Sequence, residues 1–397
     1  MVNSSAPAQQ EGAVLCAVGW WPGSQDVNGI FILEHILAIA QDRPVEVLYV
    51  EVVKCGWSGA GITTTFALEH GLPVHRVEVR TPVRRFGIAE FLVRRTFRKL
   101  VEKLQHQKDF EILHIHVRTE ITEQLIAATE GLGLPVVVTE HNSFYHLGIN
   151  VLPKQEQAAQ RKAIRQWFAH PAIAAVMPVS RNLAQVLQDD FYVPLTKITV
   201  VPNIAAEVFR PAEVTAERPF HILLAALWRP PKDHDVFISA LRSLSAEHAA
   251  DCRITWAGYG PAMEVIVARC REELPEWDIH FTGRTDKYQL AELMRSANVF
   301  VLPTIAENLP CVLLESLACG TPVISMAVNG VPEVVDDSNG ILVPPRDPGA
   351  LAAALVACKC DPGMFDRTRI AREAQAHYSA EVVAERIAEV YRRVTSR

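Results

Sequence analysis

Short apolar segments alternate with helical patterns from one end of the chain to the other. Apolar strands that are separated by helices form parallel sheets with both faces covered. A chain of 397 residues is also long for a single core. The sequence therefore predicts an α/β protein with two domains, and its strands are predicted at residues 13–19, 45–52, 74–79, 112–116, 136–140, 175–179, 198–201, 221–226, 252–257, 279–282, 299–302, 322–325 and 340–343.

The segment VPNIAAEVFRP at residues 201–211 interrupts this alternation and is predicted to link the two domains. Its position divides the chain into a disordered leader at 1–12, an N-terminal domain at 13–202, a hinge at 203–211, a C-terminal domain at 212–378 and a final helix at 379–397.

Charge and composition exclude several classes of protein. The formal net charge of −6 argues against nucleic acid as a partner. No apolar run reaches the roughly 18 residues that a membrane-spanning helix needs. The leader lacks the basic and then apolar order of a signal peptide. The 8 cysteines are scattered, and Cys358 and Cys360 have no matching pair of zinc ligands. Free thiols of this kind predict a cytoplasmic protein.

Two glutamates in the stretch 297–348 are the most informative polar residues of the second half. Glu307 follows a predicted buried strand, and Glu315 lies within the apolar segment PCVLLESLAC. That segment is predicted to be a buried helix with Asn308 as its N-cap and Gly320 at its end. A buried carboxylate is costly without a hydrogen-bond donor. Either a protein group donates to Glu315, or the donor belongs to a ligand that binds and leaves.

The predicted helix begins at the carboxyl end of a parallel strand, where open α/β sheets bind ligands and the helix dipole favours a phosphate. Glu307 would lie at the mouth of such a site, and Glu315 two turns deeper. Carboxylates repel phosphate, so sugar and ribose hydroxyls are the groups we expect them to bind. The alternative is that Glu307 only belongs to the cap region and that Glu315 is paired within the protein.

The same stretch resembles the retaining glycosyltransferases of the GT-B fold, specifically the family 4 group, also called glycosyl transferases group 1. The shared features are the two glutamates, the turn LACGTPV at 317–323 and the tail GVPEVVDDSNGILVP at 330–344. The segment 201–211 is similar to the family's hinge, with Ile204 where a glycine is usual. The resemblance implies two Rossmann-like domains facing each other across a cleft, with a final helix that packs back toward the first.

Further loops resemble the family's donor site. Lys232, in the loop LAALWRPPKDHD, matches a lysine that holds the nucleotide diphosphate without a metal. The matching arginine position holds Leu227 instead, and Arg229 lies two residues later. The resemblance implies a nucleotide-sugar substrate and neither a cofactor nor a metal. The donor site that it implies comprises Gly29, Arg229, Lys232, Gly258, Gly283, Arg284, Glu307, Asn308, Leu309, Val312 and Glu315.

The N-terminal domain is expected to bind the acceptor. Gly29 opens a predicted helix, where a phosphate or sugar can approach the backbone closely. Before it, Trp20 and Trp21 are either a platform on which a sugar stacks or aromatics that pack the loop. Asn28 lies in the same loop and is assigned to the acceptor.

Histidines end two strands of this domain. His114 and His116 lie on the same face of one strand. In the family, the second histidine of such a pair reaches the donor sugar, which makes His116 the candidate. His141 ends the next strand and resembles an element that lines the acceptor cleft.

The most basic stretch is residues 84–108, with 8 lysines and arginines against 2 glutamates. Apolar residues are interleaved, which is typical of a helix at a membrane surface. The alternative is an ordinary helix with a solvated basic face.

The resemblance implies a metal-independent, retaining hexosyltransferase that uses a UDP- or GDP-linked sugar. Its acceptor would be a lipid-linked or oligosaccharide intermediate of glycolipid or surface polysaccharide synthesis, reached from the inner face of the plasma membrane. The alternatives are a nucleotide-sugar 2-epimerase of the same fold and a non-catalytic nucleotide-sugar-binding protein, whereas a phosphorylase would need a longer chain. The predicted catalytic residues are His116, Arg229, Lys232 and Glu307.

Overall fold

The computed structural model describes residues 12–23, 29–82, 88–146, 148–212 and 219–396. Most of the predicted leader and Asn28 therefore lie outside the described residues, as do residues 83–87 at the start of the basic stretch. None of the helices in the described ranges is both long and apolar enough to cross a membrane.

The N-terminal domain is built on a 7-stranded sheet. Its strands β1 to β7 are Ala13–Val18, Val45–Lys54, Gly61–Glu69, Leu72–Thr81, Phe110–His116, Val136–Glu140 and Ile173–Pro178. Its helices α1 to α5 are Ile30–Ile39, Ile88–Gln107, Glu120–Ala128, Lys154–Phe168 and Arg181–Phe191. The strand order is β3-β4-β2-β1-β5-β6-β7, so the winding direction reverses between β1 and β5. Such a reversal opens a crevice at the carboxyl ends of the strands.

The C-terminal domain is built on a 6-stranded sheet. Its strands β8 to β13 are Phe220–Ala225, Cys252–Ala257, Asp278–Gly283, Val299–Leu302, Val323–Met326 and Gly340–Val343. Its helices α6 to α12 are His234–Ser243, Ala246–Ala249, Met263–Glu273, Lys287–Ser296, Cys311–Ala318, Pro348–Cys360 and Arg367–Tyr378, and the last helix of the chain, α13, is Ala380–Thr395. The order β10-β9-β8-β11-β12-β13 places the reversal between β8 and β11.

Parallel pairing throughout both sheets, apart from β3 with β4, confirms the predicted fold class of two Rossmann-like α/β domains. Two strand predictions differ from the structure. Residues 198–201 make only one isolated bridge, between Ile198 and Val176. Strand β3 was not predicted, because it is a largely exposed edge strand in which three threonines interrupt the apolar residues, so it has no continuous apolar run.

Helix α13 belongs physically to the N-terminal domain. Its residues Val383, Ile387 and Tyr391 are buried in the same cluster as α1 and one face of the first sheet. The Tyr391 hydroxyl also forms a 2.6 Å hydrogen bond with Nδ1 of His114 on β5. The chain therefore crosses from the first domain to the second and returns.

Helix α2 contains the described part of the basic stretch. Its apolar residues Phe97, Val101 and Leu104 are buried in the core of the N-terminal domain. Arg94 and Arg95 are exposed on its outer surface. These three apolar residues are thus used for packing, and the two arginines give the helix a basic outer surface.

The two domains are joined by hydrogen bonds beside the hinge. Ser180 Oγ at the start of α5 donates to Asn308 Oδ1 at 2.7 Å. The Glu333 carboxylate accepts from the backbone nitrogens of Arg181 and Asn182, both at 2.7 Å. A carboxylate at the positive end of a helix is a favourable arrangement. These contacts bring the carboxyl ends of the two sheets together around one cleft.

Candidate active site in the interdomain cleft

A cleft of about 470 Å³ separates the two domains and is lined by residues of both. Nine of the predicted donor residues and one predicted acceptor residue line it: Arg229, Lys232, Gly258, Arg284, Glu307, Asn308, Leu309, Val312, Glu315 and His141. These residues come from loops and helices that are far apart in the chain. The fold thus brings together residues that were predicted from separate motifs. Of the other predicted residues, Gly29, Gly283, His116, Trp20 and Trp21 lie outside the lining.

Lys232 and Glu307 form an ion pair at the base of the cleft. Thr304 Oγ1 donates to the same carboxylate oxygen, Oε1, at 2.9 Å. The backbones of Lys232 and Thr304 also form a bridge, which pins the loop after β8 to the loop after β11. The second oxygen of Glu307, Oε2, has no hydrogen-bond partner among the described residues, so it is available to a ligand hydroxyl.

Glu315 lies on helix α10, is partly buried and lines the cleft. Burial raises the pKa of its carboxyl to about 8, and the nearby negative charge of Glu34 adds to this shift while Lys287 opposes it. Within the described ranges, no protein group donates a hydrogen bond to it. A carboxyl that stays protonated at neutral pH can both donate and accept, which suits a pair of neighbouring hydroxyls.

Helix α10 begins differently from the prediction. Its N-cap is Pro310, and no side chain caps its first turn. Asn308 is therefore not the N-cap: its Oδ1 accepts instead from Ser180 of the other domain, and its buried amide nitrogen has no partner among the described residues. Val312 in the first turn lines the cleft. An uncapped helix start that faces a cleft attracts an anion.

On the C-terminal wall of the cleft, an arginine lies over an aromatic ring. The guanidinium of Arg284 lies 3.9 Å from the ring centre of Tyr259, and both residues line the cleft. Gly258 beside them has φ of +126°, and a Cβ there would lie 1.9 Å from the carbonyl oxygen of Ala226. Glycine is thus required for this turn to lie against the loop after β8. The carbonyl oxygen of Gly283 accepts a 2.8 Å hydrogen bond from the Gly258 nitrogen, which helps to hold the turn in place.

On the N-terminal wall of the cleft lie Phe31 and His141, whose ring centroids are 4.8 Å apart. Trp20 packs edge-on against Phe31, with 6.3 Å between centroids. Trp21 is only 4% exposed, and its Nε1 donates to Glu69. Both tryptophans thus pack against neighbouring side chains and lie outside the lining of the cleft. On the wall formed by α1, the aromatic side chain is Phe31, which sequence reasoning missed because nothing in a local apolar helix marks one residue as facing a cleft.

Gly29 adopts the left-handed conformation with φ of +83° at the start of α1. A Cβ there would lie 2.8 Å from the backbone of Trp20. The glycine therefore allows the first loop to fold onto the helix, which positions Phe31 on the wall of the cleft.

His116 is fully buried and lies behind His141, with 5.9 Å between their ring centroids. His35 on α1, which the sequence analysis did not single out, lies 6.0 Å from His116 and 5.0 Å from His141 by the same measure. Burial lowers the pKa of His116, and the neighbouring histidines lower it further. The buried rings are thus neutral at physiological pH.

Comparisons with known proteins match both halves of the chain. Residues 49–205 match the family model described as Glycosyltransferase Family 4, and residues 218–361 match the one described as Glycosyl transferases group 1. A D-inositol 3-phosphate glycosyltransferase from Xylanimonas cellulosilytica is 27% identical over 305 residues, which is 72% of this chain and 73% of that protein.

Two solved structures show the same architecture. Sucrose-phosphate synthase from Thermosynechococcus elongatus superposes with a TM-score of 0.72 at 18% identity, covering 97% of this chain and 100% of that one. The Anabaena protein HepE, solved in complex with UDP and glucose, has a TM-score of 0.68 at 16% identity, covering 95% of this chain and 98% of that one. Both similarities extend over both domains, so the arrangement of the two sheets is shared.

Proposed function

Because the chain belongs to the family 4 glycosyltransferases of the GT-B fold and transfers a sugar from a nucleotide sugar, we propose that it is a retaining hexosyltransferase with a UDP- or GDP-linked donor. The observation that carries this proposal is the meeting of Lys232, Glu307 and Glu315 in one cleft at the carboxyl ends of two sheets. The UDP bound in the Anabaena structure of the same fold favours the uridine nucleotide.

The diphosphate lies, in this proposal, between Lys232 and the uncapped start of helix α10. Arg229 is exposed on the same wall, two residues from the position where the family has its arginine. Negative charge develops on the diphosphate as the bond to the sugar breaks, and fixed positive groups at that point stabilise the transition state. Two cations and a helix dipole can supply this stabilisation, so we propose that the diphosphate is held without a metal.

The two glutamates bind the uncharged parts of the donor. Glu307 is held by Lys232 and Thr304 through one oxygen, which leaves Oε2 to accept from a hydroxyl of the transferred sugar. Glu315, about one turn along helix α10, binds the ribose hydroxyls. The nucleobase lies against the flat surface made by Arg284 and Tyr259. In this proposal the donor therefore meets Arg284 and Tyr259 with its base, Glu315 with its ribose, Lys232 with its diphosphate and Glu307 with its sugar.

Transfer with retention breaks the bond between the anomeric carbon and the phosphate oxygen. The acceptor oxygen forms its bond to the same face, and its proton passes to the departing phosphate oxygen. The contacts to the acceptor come from Phe31 and His141 on the opposite wall, while His116 supports His141 from behind. The acceptor is a lipid-linked or oligosaccharide intermediate of glycolipid or surface polysaccharide synthesis, which the basic surface of α2 would bring close to an anionic membrane.

Thermal melting with UDP, GDP, ADP and CMP tests the donor site directly. A nucleotide that binds only the native state, at about 100 times its dissociation constant, adds roughly 2.7 kcal/mol to the free energy of unfolding. We expect one nucleotide to raise the melting temperature of the parent and of Glu264→Ala, which removes an exposed glutamate of the same domain. The shift should be lost in Glu315→Ala.

Two outcomes count against the proposal: no nucleotide shifts the parent, or the shift persists in Glu315→Ala. The nucleotide identified in this way then defines the sugar donors to be screened. The configuration of the anomeric proton in the product, determined by NMR, distinguishes retention from inversion. Conversion of the donor in the absence of any acceptor would instead favour the 2-epimerase.

A further inference from the structure

Three buried histidines from three elements of the N-terminal domain face one another. His35 lies on α1, His116 ends β5, and His141 follows β6. Their exposed fractions are 0%, 0% and 8%. One ring nitrogen from each lies within 4.8 Å of one from both of the others. The cluster adjoins the cleft only through His141.

The hydrogen bonds of His141 fix which of its nitrogens carries the proton. The side-chain amide N–H of Asn203 donates to the carbonyl oxygen of Leu309 at 2.7 Å, which fixes the orientation of the Asn203 amide. Asn203 Oδ1 is therefore an acceptor, and His141 Nδ1, 2.8 Å away, is the donor. A neutral imidazole has one donor nitrogen and one acceptor nitrogen. His141 Nε2 thus has a free lone pair, and it is buried without a partner among the described residues.

His35 is fixed in the same way. Its Nε2 lies 3.0 Å from the carbonyl oxygen of Pro202, which can only accept, so Nε2 carries the proton. Its Nδ1 therefore has a free lone pair and is likewise buried without a partner in the described part of the chain.

His116 completes the cluster, because neither of its nitrogens has a partner among the described residues. A second possible set of ligands, Cys16 with His114 and His116, is less suitable. Both nitrogens of His114 are engaged, with the Tyr391 hydroxyl at 2.6 Å and Thr139 Oγ1 at 2.7 Å. The lone pairs that remain free are those of His35, His116 and His141.

We infer that His35, His116 and His141 bind a divalent first-row transition-metal ion, of which Zn²⁺ is the best match. Buried acceptors without donors are costly, and a cation shared by three lone pairs removes that cost. Imidazole nitrogens suit Zn²⁺, and three of them form a known zinc ligand set. Histidine ligands normally donate their other N–H to a carbonyl or similar acceptor, as His35 and His141 do here. The nitrogens would move closer together to reach bonding distances of about 2.0–2.1 Å from zinc.

This ion would lie in the N-terminal domain, apart from the diphosphate, which we propose is held without a metal. It would join α1 to β5 and to the loop after β6, and so hold His141 in place on the acceptor wall. His116 would then be a ligand of the ion rather than a contact of the donor sugar. This site does not depend on the proposed donor chemistry, because it is assembled without nucleotide.

The test uses the full chain without an affinity tag and without nucleotide. The protein is stripped with chelator, loaded with Zn²⁺ or Co²⁺ alone and dialysed against metal-free buffer. We expect one ion per chain by mass spectrometry and, with Co²⁺, the intense visible absorption of a tetrahedral site. His35→Gln and His141→Gln should lose both signals. Asn203→Leu, which removes the acceptor behind His141, should weaken binding by about 10–100-fold.

His234→Gln is the matched control. His234 is also buried with both nitrogens unpartnered among the described residues, but its neighbours are Trp228 and Trp256 rather than other histidines. It should bind the ion as the parent does. Less than stoichiometric metal in the dialysed parent overturns the inference whether or not the variants fold, as does full retention by folded His35→Gln and His141→Gln. Because nucleotide melting shifts are measured separately, failure here leaves the proposed donor site unaffected.

Discussion

The ammonium group of Lys232 donates to the carboxylate of Glu307, 75 residues further along the chain, at the base of the cleft. Both side chains are largely shielded from solvent, at 15% and 12% exposed. Each therefore holds the other in place, and in the proposed function the lysine is available to a diphosphate and the free glutamate oxygen to a sugar.

Removing the Lys232 charge should impair transfer more than folding. We expect Lys232→Met to lower kcat/KM by about 10²–10³-fold, the usual effect of losing one group that stabilises charge in a transition state. The melting temperature should also fall, since Glu307 loses its ionic partner. The control is Lys154→Met, which removes an exposed lysine of the other domain. Equal kinetics in the two variants would show that Lys232 does not bind the diphosphate.

Glu315 should make stability depend on pH. Its folded-state pKa of about 8 lies above the ordinary value of 4.5, so the folded state binds more protons between these values. The free energy of unfolding should therefore fall as the pH rises through this window, by at most about 1.4 kcal/mol per pH unit. Glu315→Gln should lack this contribution. Parallel pH profiles of the melting temperature for parent and variant would contradict the raised pKa.

Two glycines of the donor side should respond differently to alanine. Gly258→Ala places a Cβ 1.9 Å from the Ala226 carbonyl oxygen at φ of +126°, so the turn must shift. Gly283→Ala meets no atom within 4 Å and incurs only the strain of φ of +69°, about 1–2 kcal/mol. Denaturant unfolding should show the larger loss for Gly258→Ala, with loss of the nucleotide-induced melting shift. Equal losses would mean that the contact with Ala226 does not constrain the turn.

The hydrogen bonds of Glu333 should control domain closure. Glu333→Gln keeps an acceptor but removes the charge at the start of helix α5 in the other domain, which costs about 0.3–1 kcal/mol. We expect more hydrolysis of the donor relative to transfer, because an imperfectly closed cleft admits water. Comparing product and free sugar in one assay measures this ratio. An unchanged ratio would show that this contact does not govern closure.

The basic surface of α2 predicts binding to anionic vesicles. Changing Arg94, Arg95 and Arg98 to glutamate should reduce co-sedimentation with phosphatidylserine vesicles, since each basic residue near such a surface contributes about 1 kcal/mol. The control changes three exposed arginines of the other domain, Arg242, Arg253 and Arg271, and alters the net charge equally. If both triple variants sediment like the parent, the membrane hypothesis is wrong.

The sequence determined the fold and several of the residues that meet in the cleft. The strands Val136–Glu140, Cys252–Ala257, Val299–Leu302 and Gly340–Val343 were predicted to the residue, because largely buried strands are mostly apolar and end where the turns begin. Glu307 and Glu315 were found from sequence since both lie in one strand–turn–helix unit. Their spacing along the chain therefore fixes their spacing in the fold.

The tertiary structure decided which distant groups meet. Asn308 has the sequence of an N-cap, yet its partner is Ser180, 128 residues away in the other domain. Phe31 rather than Trp21 faces the cleft, and His35 joins two histidines from separate strands. Hydrogen-bond partners and burial depend on the packing of segments that are far apart in the chain. This packing cannot be inferred from the local pattern of residues, so it is seen only in the assembled fold.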